Sequence, residues 1–308
     1  MGELRELVSF WAERHCKEML LLGTVVSTQG STYRKAGARV LISESGAVCG
    51  MISGGCIESD LISTGFDRIS DGPCLVEFNA SDQYDKYFGF GTGCEGSSVV
   101  LLESLSKDGG IISEFDKLLK NRKRLSVSIH FDSVERKSWY VGHSSSTTST
   151  CVLRQNILPE PRLTIVGAGQ DVIPLLKFAK ELGWYVSIVT GKGGSSIGEK
   201  FRCADEILIQ APNQKLPEIW FKEDSFHAVV LMSHSYIIDL EILKTLHNQK
   251  IDYLGVLGPK QRTEMLIQEA QSILPAIHSP VGLKIGGDNP AEIAISIVAE
   301  IQSLIYGK

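Results

Sequence analysis

The sequence predicts an α/β protein in which a mixed α/β domain is followed by a doubly wound parallel sheet. The chain has 308 residues, which is too long for one ordinary hydrophobic core. A polar stretch of low complexity at 143–150, HSSSTTST, interrupts it near the middle. From residue 163 onward strand and helix patterns alternate, as in a parallel sheet with crossover helices. We therefore expect a first domain at 1–142, a linker at 143–161 and a second domain at 162–308.

The first domain combines both kinds of pattern. Apolar residues at helical spacing predict a helix near 2–19, and further helices are predicted near 56–70 and 110–122. A glycine-rich loop and strand are predicted within 88–105. The other β-branched or apolar stretches predict strands at 21–28, 40–45, 47–52, 73–80, 125–132 and 138–142.

The second domain begins with LTIVGAG at 163–169, a strand and its turn. A helix at 171–182 and strands at 184–190, 227–232 and 252–258 follow. The last helix is predicted at 289–305. Asn289 is a good N-cap, Pro290 suits the first helical position, and Glu292 completes a capping-box-like start.

The composition narrows the class of protein. Hydrophobic residues make up 43% and charged residues 22%, with a net charge of -5. These values fit a soluble globular protein and argue against general nucleic-acid binding, which needs a basic face. No apolar run is long enough for a membrane span, and the N-terminal stretch lacks signal-peptide features, so we expect a cytoplasmic protein. The seven cysteines contain no Cys-x-x-Cys pair, which disfavours a disulfide framework and a zinc knuckle.

The stretch MISGGCIESD at 51–60 has the strongest chemical character. Gly54 and Gly55 open a predicted helix, where backbone N–H groups can approach an anion. Cys56 stands where a helix N-terminus favours a thiolate, and Glu58 is a carboxylate in the first helical turn. A tight turn with a buried cysteine explains the same pattern, because Gly-Gly turns are common.

Two other features of the first domain have both a structural and a functional interpretation. Cys94 lies in GTGCEG, a second glycine-cysteine setting, which is equally typical of a turn that enters a strand. Arg34 and Arg39 flank a loop near 29–39 and suit a phosphate through their forked donors. Exposed basic residues in such a loop are more often simply solvated.

The second domain carries a glycine turn of the Rossmann type. Gly167 and Gly169 match its first two glycines, but Val172 stands in the third place. The next strand ends in Thr190 instead of the acidic residue that holds an NAD ribose, which makes NAD(P) binding doubtful. His234, in Ser-His-Ser after a later strand, is expected at the ligand-binding end of the sheet, although a helix-capping serine explains this sequence too.

Six stretches along the chain together carry a family resemblance. The first half has GTVVSTQGSTYRKAGARVLISESGAVCGMISGGCIESDL and GFGTGCEGSSVVLLE, and the second has LTIVGAGQDVIPL, VVLMSHSYIIDLEIL, YLGVLGPKQR and SPVGLKIGGDNPAEIAISIVAEI. In these stretches the chain resembles the xanthine dehydrogenase accessory factors, the XdhC/CoxI-like family. The resemblance implies an N-terminal XdhC domain and a C-terminal Rossmann-like domain. It also implies a chaperone that binds molybdenum cofactor transiently, supports its sulfuration and delivers it to a molybdenum hydroxylase of the xanthine dehydrogenase type. The implied partners are the apo-hydroxylase and a cysteine desulfurase, and a homodimer is expected.

A pterin cofactor implies separate binding roles for the residues of the 51–60 stretch. We expect Glu58 to accept from the pterin's amino-pyrimidinone edge, and Gly54 and Gly55 to approach an oxygen-rich group. Cys56, a soft ligand, is expected near the molybdenum. We further expect Cys56 and Cys94 to share a cleft that faces the C-terminal domain.

Two alternatives stay open at this point. One is a nucleotide-dependent oxidoreductase that uses the Gly167–Gly169 turn and the Cys56 thiol. The other is a thiol sensor or scaffold without a cofactor. The missing acid after the second strand argues against the oxidoreductase. We therefore favour a non-catalytic accessory factor.

Overall fold

The computed structural model describes residues 2–79, 96–142, 151–191, 195–271 and 273–307. The chain forms two compact units. One consists of Glu3–Leu158, and the other consists of Pro159–Lys308 together with Met1–Gly2.

The first unit is a mixed α/β structure. Its helices are α1 (Gly2–Arg14), α2 (Cys56–Arg68) and α3 (Gly110–Asn121). Its strands are β1 (Leu20–Gln29), β2 (Arg39–Ser43), β3 (Val48–Gly50), β4 (Cys74–Asn79), β5 (Ser97–Ser104), β6 (Leu125–Asp132), β7 (Lys137–Gly142) and β8 (Cys151–Ile157).

These strands form two antiparallel sheets. The larger sheet has the order β3-β2-β1-β5-β4, and the smaller has the order β7-β6-β8. Along β1 the side chains alternate between the two faces of the sheet. Leu21 and Val25 belong to the core that contains Leu61 of α2, whereas Leu22 packs in the core that contains Phe115 of α3. The larger sheet therefore carries a hydrophobic core on each face.

Two predictions for this unit were wrong in extent. The helix predicted near 2–19 ends at Arg14, and the chain leaves it through a tight turn in which the Lys17 N–H donates to the Arg14 carbonyl. The segment predicted as a linker, 143–161, contains β8, which pairs with β6 from Leu125↔Ile157 to His130↔Cys151. Alternating apolar residues in β8 complete the smaller sheet, a tertiary pairing that the local composition does not reveal.

The second unit is a doubly wound parallel sheet. Its strands are β9 (Arg162–Val166), β10 (Tyr185–Thr190), β11 (Glu206–Ile209), β12 (His227–Leu231), β13 (Tyr253–Val256) and β14 (Ile277–His278). Its helices are α4 (Val172–Glu181), α5 (Ser195–Lys200), α6 (Tyr236–Thr245), α7 (Lys260–Ala270) and α8 (Pro290–Tyr306), with a short 3-10 helix at Glu218–Lys222.

The strand order is β11-β10-β9-β12-β13-β14, and every neighbouring pair is parallel. This is the 3-2-1-4-5-6 order of the Rossmann fold, with its switch point between β9 and β12. Leu163 and Ile165 of β9 face the core that contains Leu175 of α4, and Val166 faces the core that contains Leu243 of α6. The predicted fold class is confirmed.

The predicted start of the last helix is also confirmed. The Asn289 side chain accepts from the N–H groups of Ala291 and Glu292, and Glu292 accepts in return from the Asn289 N–H. Across the ranges given above, no helix is both long and apolar enough to cross a membrane.

Candidate functional site

The loop between β3 and α2 is organised around the Ser53 hydroxyl. This side chain is buried, and its oxygen accepts from the N–H groups of Gly55 and Ile57, each at 3.1 Å. It donates in turn to the Glu58 carboxylate. Because these bonds join the loop to the first turn of α2, Ser53 fixes the path of the Gly-Gly segment. Ser53 was not singled out from the sequence, because it lies five residues before Glu58, whereas the capping-box signal places the serine three residues before the acid.

Glu58 has a different role from the one expected. Its Oε1 accepts from the N–H groups of Ile52 and Ser53, both at 2.7 Å, and its Oε2 accepts from the Ser53 hydroxyl and the Gly55 N–H. A carboxylate has about four acceptor positions. Since this loop supplies four donors, the carboxylate holds the loop and has little capacity left for a pterin edge.

The protonation of Glu58 follows from these contacts. Burial on its own raises the pKa of a carboxyl group, but the hydrogen bonds from Ser53 and Ile52 outweigh it and hold the pKa of Glu58 below its ordinary value. The group is therefore charged at neutral pH, and the loop geometry depends on that charge.

The outer face of the same loop is open. Among the residues whose positions are described, the N–H groups of Gly54 and Cys56 have no hydrogen-bond partner. A Cβ added at Gly54 would meet no atom within 4 Å, and the Cys56 side chain is exposed. Gly55 has φ +114°, a conformation that L side chains rarely adopt, whereas nothing within the described chain demands a glycine at position 54. Gly54 and Cys56 thus offer backbone N–H donors, and Cys56 also offers an exposed thiol, whereas the Gly55 N–H is already bound within the loop.

Arg34 and Arg39, the two predicted phosphate contacts, bind other groups of the protein. Arg34 forms an ion pair with Glu3 at 2.6 Å. Arg39 is 4% exposed, donates to the Gly37 carbonyl and the Gln155 side chain, and lies 4.8 Å from the ring centre of Phe115. Burial lowers the pKa of Arg39 to about 10. The expectation of an exposed phosphate ligand at Arg39 was therefore wrong, because tertiary packing buries the guanidinium inside the first unit.

Several strands of the larger sheet begin or finish at the same end of it. β1 and β4 finish there at Gln29 and Asn79, both of which pair with Ser97, the first residue of β5. β2 begins at this end and β3 finishes there, since Val40 pairs with Gly50. The Ser53–Cys56 loop and the segment that connects β4 to β5 therefore start from the same end. Cys94 lies outside the described residues, and the shared cleft stays a prediction.

In the second unit, the Gly167–Gly169 turn lies at the switch point of the sheet. A Cβ at Gly167, where φ is +132°, would be 2.4 Å from the Met232 carbonyl oxygen, so only glycine lets β9 and β12 end this close together. The Lys200 ammonium donates to the Ala168 carbonyl at 2.9 Å and holds the turn from outside. The turn leads into α4, whose N-terminus is open to an anion in folds of this kind.

His234 faces the same turn across the switch point. Its Nε2 lies 2.7 Å from Oδ2 of Asp171, the residue before α4, and its backbone is in the left-handed region with φ 57°. Asp171 was missed at the level of the sequence, because the contact joins residues 63 apart. Nearby, the Ser233 hydroxyl donates to Asp239, which also accepts from Arg262 at 2.8 Å. The fold therefore brings Gly167, Gly169 and His234 together, and the Asp171 carboxylate lies beside Gly169 and His234.

The features that disfavour an NAD site persist in three dimensions. Val172, in the place of the third glycine, is fully buried in the core behind the turn. Thr190 ends β10 and is 8% exposed. Over the parts of the chain that are described, no group of three or more His, Cys, Asp or Glu residues is arranged to hold a metal ion. Among those residues, Cys56 is not part of a metal-binding cluster.

Known proteins resemble the chain along both units. A family model described as the XdhC Rossmann domain matches residues 163–301, and one described as the XdhC and CoxI family matches residues 15–79. A Bacillus subtilis protein named as a probable xanthine dehydrogenase subunit is 31% identical over 315 residues, and the match covers 92% of this chain and 93% of that protein.

The chain belongs to the XdhC and CoxI family. The resemblance deduced from the sequence motifs is thereby confirmed.

Two further matches extend along most of this XdhC and CoxI family member. The molybdenum cofactor insertion chaperone PaoD of Escherichia coli is 21% identical over 309 residues, covering 92% of this chain and 83% of PaoD. The crystal structure of a xanthine dehydrogenase from Bacillus halodurans superposes with a TM-score of 0.80 at 29% identity, covering all of this chain and 97% of that one. The XdhC and CoxI match includes the Ser53–Cys56 loop, and the XdhC Rossmann match includes the turn at Gly167.

Proposed function

We propose that this protein is an accessory factor that binds molybdenum cofactor as cargo and supports the maturation of a xanthine dehydrogenase-type molybdenum hydroxylase. Membership of the XdhC and CoxI family and the similarity to a relative named a molybdenum cofactor insertion chaperone support this role. In finer detail, the protein holds the cofactor transiently, supports its sulfuration by a cysteine desulfurase and delivers it to the apo-hydroxylase. A homodimer is part of the same proposal.

One observation carries the proposal: the Ser53–Cys56 loop is rigid on its inner side and open on its outer side. Glu58 and Ser53 fix the loop from within, and the N–H groups of Gly54 and Cys56 have no partners among the described residues. Backbone donors at a helix N-terminus suit an anionic oxygen group such as a phosphate. An exposed thiol suits a soft metal centre with sulfur ligands.

The residues present fit a group that is bound and then released. The donors are few and exposed, and no cluster of metal ligands occurs among the residues described. Attachment of this kind gives moderate affinity, which a carrier needs if it is to pass its cargo to a partner. The chemistry on molybdenum belongs to the hydroxylase; the residues of this chain bind, orient and shield the cofactor.

The second unit contributes a second anion-binding element in this proposal. The Gly167–Gly169 turn precedes α4, and His234 lies opposite it. The His234 ring places a polar nitrogen beside the turn, where its Nε2 lies 2.7 Å from Asp171. We assign Gly167, Gly169 and His234 to the binding of a phosphate or nucleotide group.

A nucleotide-dependent oxidoreductase is the second candidate, and the 3-2-1-4-5-6 strand order favours it. Val172 and Thr190 argue against it, because they replace the third glycine and the ribose-binding acid. The accessory role explains the open thiol loop of the first unit, which an oxidoreductase of this type does not require.

A transfer assay tests the function. Molybdenum cofactor released from a donor enzyme is mixed anaerobically with this protein, and a cofactor-free xanthine dehydrogenase is then added. We expect more hydroxylase activity, and slower loss of transferable cofactor, than with serum albumin in place of the protein. Equal activity with albumin would contradict the accessory role.

A further inference from the structure

Cys16 lies in the tight turn between α1 and β1, away from the loop assigned to the cofactor. Its side chain is exposed, and its Sγ is 3.1 Å from Nε2 of the neighbouring His15. This distance is within hydrogen-bond reach for a thiol and an imidazole. The pair forms a nucleophile with an adjacent base, both accessible to solvent.

The orientation of the His15 ring assigns its protons. Nδ1 lies 3.0 Å from the Trp11 carbonyl oxygen, and a carbonyl can only accept, so Nδ1 carries the hydrogen. In the neutral ring, Nε2 then has its lone pair directed toward the Cys16 thiol. The ring also stacks on the Trp11 indole, with centroids 4.4 Å apart and an interplanar angle of 26°. Two contacts with Trp11 therefore hold the base in position.

The other described cysteines lack this arrangement. Cys56 and Cys203 are exposed, but the polar contact of the Cys56 thiol is the Ser53 hydroxyl at 3.8 Å, which is not a base at neutral pH. Burial raises the pKa of Cys49 to about 11 and also raises the pKa of Cys74, so both stay protonated. Within the described ranges, Cys16 is the exposed cysteine that has an imidazole at hydrogen-bond distance.

The charged side chains next to the pair in the sequence are either paired or basic. Arg14 forms an ion pair with Glu18 at 2.6 Å, which neutralises the acid two residues after Cys16. Lys17, next to Cys16, forms no ion pair with any residue whose position is described. A lysine beside the thiol attracts an anionic reagent.

We propose that Cys16 and His15 form a thiol–disulfide exchange site that takes small-molecule disulfides. His15 Nε2 accepts the thiol proton, and the Cys16 sulfur attacks one sulfur of the disulfide. A new S–S bond forms to Cys16 as the original S–S bond breaks, and the second half leaves as a thiolate that takes up the proton. The protein is thereby oxidised to a mixed disulfide and one equivalent of free thiol is released. This site is independent of the proposed cofactor function.

The test uses the full-length protein, oxidised glutathione as the probe, and peptide mass spectrometry over time at neutral pH. In the unaltered protein, Cys16 should acquire glutathione before Cys56 and Cys203. In His15→Gln, which keeps a polar side chain but removes the base, the rate at Cys16 should fall about threefold or more. The rates at Cys56 and Cys203 should not change, and circular dichroism monitors the fold.

Cys16→Ser provides the matched control and should show no glutathione on the peptide that contains position 16. Two outcomes would overturn the proposal. One is modification of Cys56 or Cys203 as fast as Cys16 in the unaltered protein, a comparison that needs no variant. The other is an unchanged Cys16 rate in folded His15→Gln protein.

Discussion

The Glu58 carboxylate accepts two hydrogen bonds from Ser53, one from its backbone N–H at 2.7 Å and one from its hydroxyl. The two residues lock the entry to α2 and leave the opposite face of the Gly-Gly segment open. The sequence predicts that Glu58 binds the ligand, whereas its hydrogen bonds in the structure make it a residue that shapes the loop.

The first prediction concerns the stability of this arrangement. Glu58→Gln should lower the free energy of unfolding by about 1.5–3 kcal/mol, because a buried charged acceptor is lost and an amide N–H₂ faces backbone donors. Glu292→Gln is the matched control. Glu292 accepts from Asp288 and Asn289 at the same position of α8, but this site is exposed, so its loss should be smaller. Urea denaturation of both variants decides, and equal losses would remove the special role of burial at Glu58.

The contribution of Glu58 to the free energy of unfolding should depend on pH. The pKa of Glu58 is lower in the folded protein than its ordinary value of about 4.3 in an unfolded chain. Its stabilising contribution is therefore complete above that value and is lost as the pH falls through the folded pKa. The stability difference between the parent protein and Glu58→Gln should shrink from neutral pH toward acid. A difference that stays constant under acid conditions would show that Glu58 does not titrate as its contacts require.

A pair of glycine variants separates folding from binding. At Gly55, φ is +114°, so Gly55→Ala should destabilise the protein by about 1–2 kcal/mol. At Gly54, an added Cβ meets no atom within 4 Å, so Gly54→Ala should change stability by less than about 0.5 kcal/mol. Thermal melts of the two variants provide the measurement. A large loss for Gly54→Ala would mean that the fold itself requires this glycine and that the loop has no open binding face.

The Rossmann-like unit should not bind NAD or NADP tightly. Val172 fills the position of the third glycine and is buried behind the turn, and Thr190 replaces the acid that would bind the ribose. Isothermal titration calorimetry with each nucleotide tests this expectation. Binding at micromolar concentration or below would favour the oxidoreductase alternative over the accessory role.

Much of the fold was predictable because its signals are local. The apolar, β-branched run of β1, the capping residues of α8 and the glycine at the switch point are each recognisable from a few neighbouring residues. The strand β8 was not predictable, since it depends on pairing with β6 more than 20 residues earlier in the chain. Tertiary contacts decided the extent of such elements.

The site was predictable in its residue types and less so in their roles. Gly54, Gly55 and Cys56 were singled out from the sequence, and they do form an exposed loop. The roles of Glu58 and Arg39 depended on which donors and rings surround them, and a charged side chain does not reveal this from its neighbours in sequence. The Asp171–His234 contact likewise joins two loops that only the sheet topology brings together.

The central claim is that the Ser53–Cys56 loop binds molybdenum cofactor. The most direct test is anaerobic incubation of the protein with released cofactor, followed by gel filtration and analysis of molybdenum and pterin in the protein peak. We predict that molybdenum and pterin elute together with the parent protein and with Cys203→Ser, an exposed-cysteine control, and that Gly54→Ala and Cys56→Ser retain much less of both. Absence of molybdenum and pterin from the parent protein's peak, or equal retention by all four proteins, would contradict this claim.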